Sequence, residues 1–365
     1  MKRVVVSGYY GFGNTGDEAV LAGMLATFRR LGIDAVVTVL SADPDRTIRE
    51  HPGVRSVRRD RLADLVRAMR GADLVISGGG SLFQDVTGPL SVHYYLFVLR
   101  LARLLRRKTM VYAQGVGPLI RDSARRAVAR AMNRTDLITV RDADSKKLLE
   151  SISVTTQIHL SADPSFLVEP DVSEADRLLR ERGLSPGELI GVSLRPWPSA
   201  GDWTAEATRG IAAAADRLGV PVIGIPMQAR EDEPLCRATG CAAVVASDDP
   251  AVRKGVIARC GLVVGMRLHS LVFAAGVSTP FVPIVYDPKV ASFADACFLS
   301  AEKDIDSAPV SSLEVGSLTA EAVRDAVTRA WSARSELVGR LAARRREFTD
   351  LALESGRLAG RLLNS

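Results

Sequence analysis

The stretch Val4-Val5-Val6-Ser7-Gly8-Tyr9-Tyr10-Gly11-Phe12-Gly13-Asn14-Thr15-Gly16-Asp17-Glu18 joins a short apolar run to a helix through a glycine-rich loop. An uninterrupted apolar run that stops at a turn signal is the pattern of a strand covered on both faces, as in a parallel sheet. Residues 18–31 then carry apolar side chains at helical spacing. Glycines let a backbone approach a ligand, and a helix start offers unpaired N–H groups and a positive dipole end. Gly11, Gly13 and Gly16 satisfy a G-x-G-x-x-G spacing. In dinucleotide sites that spacing is followed by an acidic residue at the end of the second strand. Asp43 is the nearest candidate, about 27 residues beyond Gly16 and so somewhat late. Asp17 and Glu18 would repel a pyrophosphate there; carboxylates at that position suit the helix dipole or the hydroxyls of a sugar. Dinucleotide binding, a structural cap and binding of a polar acceptor all remain open from this stretch alone.

The same alternation extends outward. Strand-like runs at 35–40, 74–76, 109–113 and 137–140 alternate with helical segments at 61–70, 94–105 and 123–133. Such alternation predicts right-handed crossovers and a parallel sheet with both faces covered. The pattern pauses over 161–170, passes through a charged helix at 174–182 and meets the turn cluster Ser185-Pro186-Gly187. A second series begins at 189–194 and continues with strands at 220–225, 242–245, 262–264 and 281–284. The expected fold class is α/β, with two Rossmann-like, doubly wound domains facing across a cleft. Their expected bounds are 1–175 and 186–318, with a helical segment at 319–365 that packs back on the first domain.

Composition agrees with this class. The chain has 365 residues, 47% apolar and 25% charged, the balance of a globular protein of about two domains. Disordered, collagen-like and disulfide-scaffold classes are excluded. Forty-eight Lys and Arg against 42 Asp and Glu leave a net charge of +6. That excess suits phosphorylated substrates, an anionic membrane surface or nucleic acid. Nucleic acid is disfavoured, because the basic residues alternate with acids and aromatics are only 5%. Cys236, Cys241, Cys260 and Cys297 form no C-x-x-C pair, which predicts reduced thiols and a cytoplasmic protein. The apolar run after Met1-Lys2-Arg3 is too short for a signal peptide, and no uncharged stretch reaches the ~18 residues of a membrane span.

Several strand ends carry chemistry. Ser77-Gly78-Gly79-Gly80-Ser81-Leu82-Phe83-Gln84-Asp85 follows a strand, where open α/β sheets bind ligands; a tight turn without a ligand is the alternative. Gln114-Gly115-Val116-Gly117-Pro118 and Arg141-Asp142-Ala143-Asp144-Ser145 follow the next two. In the second series Gly265-Met266-Arg267-Leu268-His269-Ser270 places an Arg and a His beside a helix start. A guanidinium offers a planar fork to phosphate or carboxylate, and imidazole titrates near neutrality. Of the four histidines, His51 and His159 read as surface or structural, and His93 lies near the glycine-rich loop. Arg195 and Lys289 also follow strands, so Arg141, Arg195, Arg267 and Lys289 together suit a ligand with at least two negative charges. No phosphate-binding P-loop, zinc cluster or nucleophile elbow is present, and nothing calls for a metal or a cofactor.

At these residues the chain resembles the polysaccharide pyruvyl transferase family, in its CsaB-like branch tied to secondary cell-wall polymers. The resembling pieces are 11–18, 77–85, 113–118, 140–145, 266–270 and 286–289, in family order over most of the chain. The resemblance implies a glycosyltransferase-B-like fold and transfer of pyruvate from phosphoenolpyruvate, as co-substrate, to a sugar as a cyclic ketal. It implies N-acetylmannosamine in a lipid-linked precursor as acceptor, met at the inner face of the cell membrane. His269 and Arg267 take the catalytic roles. Arg141, Arg267, Leu268, Lys289 and Arg195 bind the donor, and Asn14, Asp17, Gly79, Gly80 and Asp85 face the acceptor, with Asp17 or Asp85 as base. Residues 100–108 mix basic and apolar side chains at helical spacing, which suits either anionic headgroups or an ordinary charged helix face. The main rival is a nucleotide-sugar glycosyltransferase of the same fold, followed by a non-enzymatic sugar or nucleotide binder and a dehydrogenase.

Overall fold

A computed structural model describes residues 1–85, 89–198, 202–298, 310 and 312–365, with the side chains of residues 89–91 left aside. The chain divides into two compact units, Met1–Val168 with Phe348–Ser365, and Glu169–Glu347.

The first unit is built on an eight-stranded parallel sheet. Its strands are β1 (Lys2–Ser7), β2 (Ala35–Ser41), β3 (Arg55–Arg58), β4 (Leu74–Ser77), β5 (Gly80–Phe83), β6 (Lys108–Val116), β7 (Leu137–Val140) and β8 (Ile158–Leu160). The order is β3-β2-β1-β4-β6-β7-β8, with β5 pairing to β6. Helices α1 (Thr15–Arg30), α2 (Pro44–Glu50), α3 (Leu62–Arg70), α4 (Pro89–Leu104), α5 (Asp122–Met132) and α6 (Ala143–Ser151) make the crossovers. On one face Leu21, Met24 and Phe28 of α1 pack on Val4, Val6 and Val39 together with Ala359 and Leu363. On the other, α4 and α5 cover Val111, Val116 and Ile138.

The second unit repeats the plan. Its strands are β9 (Ile190–Ser193), β10 (Val222–Gly224), β11 (Ala243–Val244), β12 (Leu262–Gly265), β13 (Phe281–Val285) and β14 (Leu313–Glu314). They form a six-stranded sheet in the order β11-β10-β9-β12-β13-β14, parallel throughout. Its helices are α7 (Val172–Arg180), α8 (Trp203–Leu218), α9 (Ala229–Ala238), α10 (Pro250–Ala258), α11 (Leu268–Gly276), α12 (Pro288–Phe298) and α13 (Ala320–Ser332). Both strand orders reverse direction once, between β1 and β4 and between β9 and β12. Such switch points are where doubly wound sheets open a crevice at their carboxyl edge.

Several boundaries differ from the sequence reading. Residues 169–175 join the second unit, because α7 packs on α10 and Arg259 of the next turn grips Asp176 with two bonds of 2.6 and 2.8 Å. Residues 319–347 stay there too: α13 lies on α8, and the Ala320 N–H donates to Glu206 at 2.7 Å. Only from Phe348, within the long helix α14 (Arg334–Asn364), does the chain rejoin the first unit. There the Ser355 hydroxyl lies 2.8 Å from the hydroxyls of Thr139 and Ser161. The basic stretch 100–108 is helical only to Leu104. Lys108 opens β6 and donates to the Leu362 carbonyl at 3.0 Å. Phe97 (43%) and Leu104 (79%) are exposed on α4 beside exposed Arg100 and Arg103. No helix among the described residues is long and apolar enough to cross a membrane.

Candidate functional site

The first unit's switch point is lined by the loops after β1 and β4. Asn14 caps α1, its side-chain oxygen accepting from the Gly16 N–H at 3.0 Å. Glu18, 1% exposed, accepts from the Gly11 N–H at 2.8 Å and meets His51 Nε2 at 3.1 Å. Glu18, Glu50 and His51 could bring ligand atoms within 4.8 Å of one another. Arg46 lies 2.5 Å from Glu50, however, and the Gly11 amide bonds Glu18, so the group acts as a buttress for the loop. Gly11 (φ +79°) has no room for a side chain: a Cβ would lie 2.2 Å from Ser41 Oγ and 2.5 Å from the Asp43 nitrogen. Asp43 itself caps α2 by accepting from Arg46 N–H at 3.0 Å.

The three glycines after β4 approach the protein itself. A Cβ would meet Tyr10 at Gly78, Val20 at Gly79 and, at 2.6 Å, Asp17 Oδ1 at Gly80, whose φ is +97°. Gly80 thereby brings the β5 backbone against the first turn of α1, and Asp17, 9% exposed, lies in that seam. Asp85 has a different task. Both its oxygens accept backbone N–H groups, from Ile120 at 2.8 Å and Arg121 at 2.9 Å, at the start of α5. Burial raises its pKa, but these bonds and the Arg121 charge outweigh burial, and the carboxyl ends below its ordinary value. A depressed carboxylate stabilises the fold above the ordinary value of 3.8, and that contribution is lost as pH falls through the lower native value. Asp85→Asn should cost about 1–2 kcal/mol at neutral pH. Urea unfolding at pH 7 and pH 2 should show the difference from wild type shrinking at the lower pH.

Arg141, at the end of β7, is 6% exposed in its side chain. It donates to Asp163 at 2.9 Å and to Ser81 Oγ at 3.0 Å, and its guanidinium lies flat over Gly115, where a Cβ would fall 2.8 Å from it.

The second unit gathers its groups at the ends of β9, β12 and β13. Arg267 caps α11 and donates to Asp232 through Nε (3.0 Å) and Nη2 (2.5 Å), with Glu231 at 3.3 Å. Asp232 is 0% exposed, and its second oxygen accepts the Met227 and Gln228 N–H groups at the start of α9. Burial alone lowers the Arg267 pKa; the Asp232 bonds and charge outweigh it and hold the guanidinium above its ordinary value. Leu268 is buried, whereas His269 stands partly exposed on the first turn of α11. Lys289 pairs with Asp287 at 3.1 Å. Arg195 follows β9 and donates to Tyr286 Oη at 3.2 Å, its Cζ lying 5.0 Å from the Tyr286 ring and 5.5 Å from Trp197. The two rings are 4.7 Å apart.

These distances separate the four sequence-identified cations. Arg141, Arg267 and Lys289 each face a carboxylate, whereas Arg195 has none among the described residues. Arg195 and Arg267 flank the second switch point, since the Met266 N–H bonds the Ser193 carbonyl at 2.8 Å. Sequence reasoning missed Asp232, which looks like one member of a solvated acidic run, and the Trp197–Tyr286 pair around Arg195. It also missed Arg59, after β3, whose Cζ lies 4.1 Å from the Tyr94 ring and 5.2 Å from Phe12. All four cysteines are free; burial pushes the Cys236 and Cys260 thiols up to about 12, so neither is a reactive thiolate.

A sequence profile described as Polysaccharide pyruvyl transferase matches residues 14–288. The chain is similar to the amylovoran biosynthesis protein AmsJ of Erwinia amylovora, 22% identical over 352 residues, covering 79% of this chain and 84% of that one. Among solved structures it is similar in fold to the UDP-GlcNAc 2-epimerase of Neisseria meningitidis bound to UDP-GlcNAc. The TM-score there is 0.58 at 10% identity, over 97% of this chain and 100% of that one. It is likewise similar to a UGT transferase of Siraitia grosvenorii in complex with UDP, with TM-score 0.60 and 12% identity over the whole of both chains. The two-domain fold of glycosyltransferase-B type is thus shared with enzymes of different chemistry.

Proposed function

The chain belongs to the polysaccharide pyruvyl transferase family, and from that premise we propose that it moves pyruvate from phosphoenolpyruvate to a sugar as a cyclic ketal, releasing phosphate. The acceptor in this reading is N-acetylmannosamine of a lipid-linked cell-wall polymer precursor. The observation that carries it is Arg195: a cation without a carboxylate partner among the described residues, held by Tyr286 at the same strand edge as Arg267, Lys289 and His269. Phosphoenolpyruvate presents a phosphate and a carboxylate, and two such groups call for more than one cation.

In the proposed reaction His269 gives a proton to the methylene carbon, which becomes a methyl group, and the neighbouring carbon becomes oxocarbenium-like. One sugar hydroxyl forms a C–O bond to that carbon and loses its proton to a base. Phosphate leaves with the electron pair of its C–O bond, and the second hydroxyl closes the ring, losing its own proton. Two hydroxyl protons are released; one balances the proton given to the methyl group and the other leaves with phosphate. Arg195 and Arg267, with Lys289, neutralise the charge moving onto phosphate. The engagement of both Asp85 oxygens supports Asp17 as the base. Exposed Phe97 and Leu104 beside Arg100 and Arg103 support peripheral contact with the anionic membrane that carries a lipid-linked acceptor.

The test is phosphate release from phosphoenolpyruvate with a lipid-like N-acetylmannosamine disaccharide, in detergent and on anionic vesicles. Acceptor-dependent release with the mass gain of a ketal is the expected result, faster on vesicles. Arg195→Gln should raise the donor KM about 10- to 100-fold, the loss of a charge-assisted contact. Turnover of a nucleotide sugar in place of phosphoenolpyruvate would move the assignment to glycosyl transfer.

A further inference from the structure

We propose that Tyr286 is a substrate-binding residue of the second unit: its hydroxyl accepts from Arg195 and gives its own hydrogen to a phosphate oxygen of the donor substrate, so that phenol and guanidinium bracket one anion. This rests on the reading of that unit's strand edge as the phosphoenolpyruvate side, and adds a residue to it. β12 lies between β9 and β13 in the sheet. Arg195 follows β9 and Tyr286 follows β13, so their backbones stand about 9–10 Å apart, two strand spacings. The two side chains close that gap across the end of β12, where Arg195 Nη1 donates to Tyr286 Oη at 3.2 Å. Between them the chain leaves β12 through Met266 and Arg267 and enters α11. α11 has no side-chain cap, and the first-turn N–H groups of a helix have no partner within it. Ser193, 1% exposed at the end of β9 and in register with Gly265, also carries a hydroxyl without a hydrogen-bond partner among the described residues. Such a set of donors suits an anion of the phosphate kind.

Both ends of the link are held. Asp287 closes the turn after β13, accepting the Lys289 N–H at 3.1 Å with its side chain and the Val290 N–H at 2.9 Å with its carbonyl. The Tyr286 ring packs 4.7 Å from that of Trp197, and Arg195 Cζ lies 5.0 Å from the first ring and 5.5 Å from the second. Lys289 Nζ stands 6.0 Å from the phenol ring but pairs with Asp287 at 3.1 Å. A phenol has one hydrogen to give and lone pairs with which to accept. Arg195 occupies the accepting side, and no described residue accepts from the Tyr286 hydroxyl. A hydroxyl that accepts from a guanidinium is polarised and becomes a stronger donor to an anion. Arg267 is within electrostatic range as well: burial lowers its pKa, Asp232 outweighs burial, and Tyr286 adds a smaller rise. The phenol therefore stands among three cations with its own hydrogen unused.

The experiment is titration calorimetry of the intact chain with phosphoenolpyruvate, inorganic phosphate and UDP. Wild type should bind phosphoenolpyruvate and inorganic phosphate. Tyr286→Phe should weaken both by about tenfold, as the loss of a hydrogen bond to a charged group does. Its melting temperature should be unchanged, because phenylalanine keeps the ring against Trp197. The KM for phosphoenolpyruvate should rise by the same factor. In an Arg195→Gln background the same substitution should weaken binding less than about threefold, since the phenol is then no longer held or polarised. A Tyr286→Phe chain that binds both anions as wild type does overturns the proposal. So does a loss confined to phosphoenolpyruvate, which puts the phenol on the carboxylate, an equal loss in both backgrounds, or a wild type that binds none of the three probes. Tyr286-dependent binding of inorganic phosphate and UDP without pyruvyl transfer would leave the bracket and remove the functional reading; pyruvyl transfer by Tyr286→Phe at the wild-type KM would do the reverse.

Discussion

Arg267→Met should destabilise the second unit by about 3–5 kcal/mol, because it strands the carboxylate of Asp232 in a site with no exposure to water. The substitution keeps most of the side-chain volume, so the loss is electrostatic: two bonds of 3.0 and 2.5 Å vanish and their acceptor loses its countercharge. Adding Asp232→Asn should recover a large part of the loss. The amide oxygen can still accept from the Met227 and Gln228 N–H groups, and the buried charge is gone. Chemical denaturation of the single and double variants measures this coupling. A single variant within 1 kcal/mol of wild type would show that Asp232 is not an uncompensated anion after its partner leaves. In the proposed reaction the same pair would orient Arg267 toward a phosphorylated donor. The Asp232 carboxylate fixes the plane of its fork.

His269→Gln should lower kcat by about 10²–10⁴-fold, the usual worth of a general acid, with little change in stability or donor affinity. His269 is partly exposed at the start of α11, and glutamine keeps most of its volume, so the substitution leaves no large cavity. In deuterated water the wild-type product should carry one solvent deuterium in its new methyl group, as the proposed proton transfer from the imidazole requires. A variant that keeps kcat within tenfold of wild type would place the acid elsewhere. A variant that loses phosphoenolpyruvate binding in step with kcat would make His269 a donor ligand.

The two sheets were legible because their strands are covered on both faces and read as unbroken apolar runs, as at Val4-Val5-Val6 and Leu262-Val263-Val264. Elements without that signature were not. β5 opens on a third consecutive glycine and resembles a loop, and α2 is a short polar helix behind a proline. The positions of Arg195, Arg267 and His269 followed from the topology, which puts post-strand residues at one edge. Their partners did not, since the bond from Arg267 to Asp232 spans 35 residues and joins two different crossovers. The glycines after β4 show the same limit. Sequence tells that something comes close to them, and only coordinates tell that it is Tyr10, Val20 and Asp17.

The path of α14 bears on how the chain can be made. Phe348–Ser365 supplies Ala359 and Leu363 to the core of the first unit, yet the ribosome delivers these residues only after all of Glu169–Glu347. The N-terminal sheet must therefore wait for the helix that lies against Thr27, Leu31 and Ile33 and bonds Thr139 and Ser161, while the unit encoded behind it is completed first. Vectorial synthesis and order of completion run opposite ways. A ribosome-stalled chain ending before Phe348 should therefore be more open to protease in its first half than in its second.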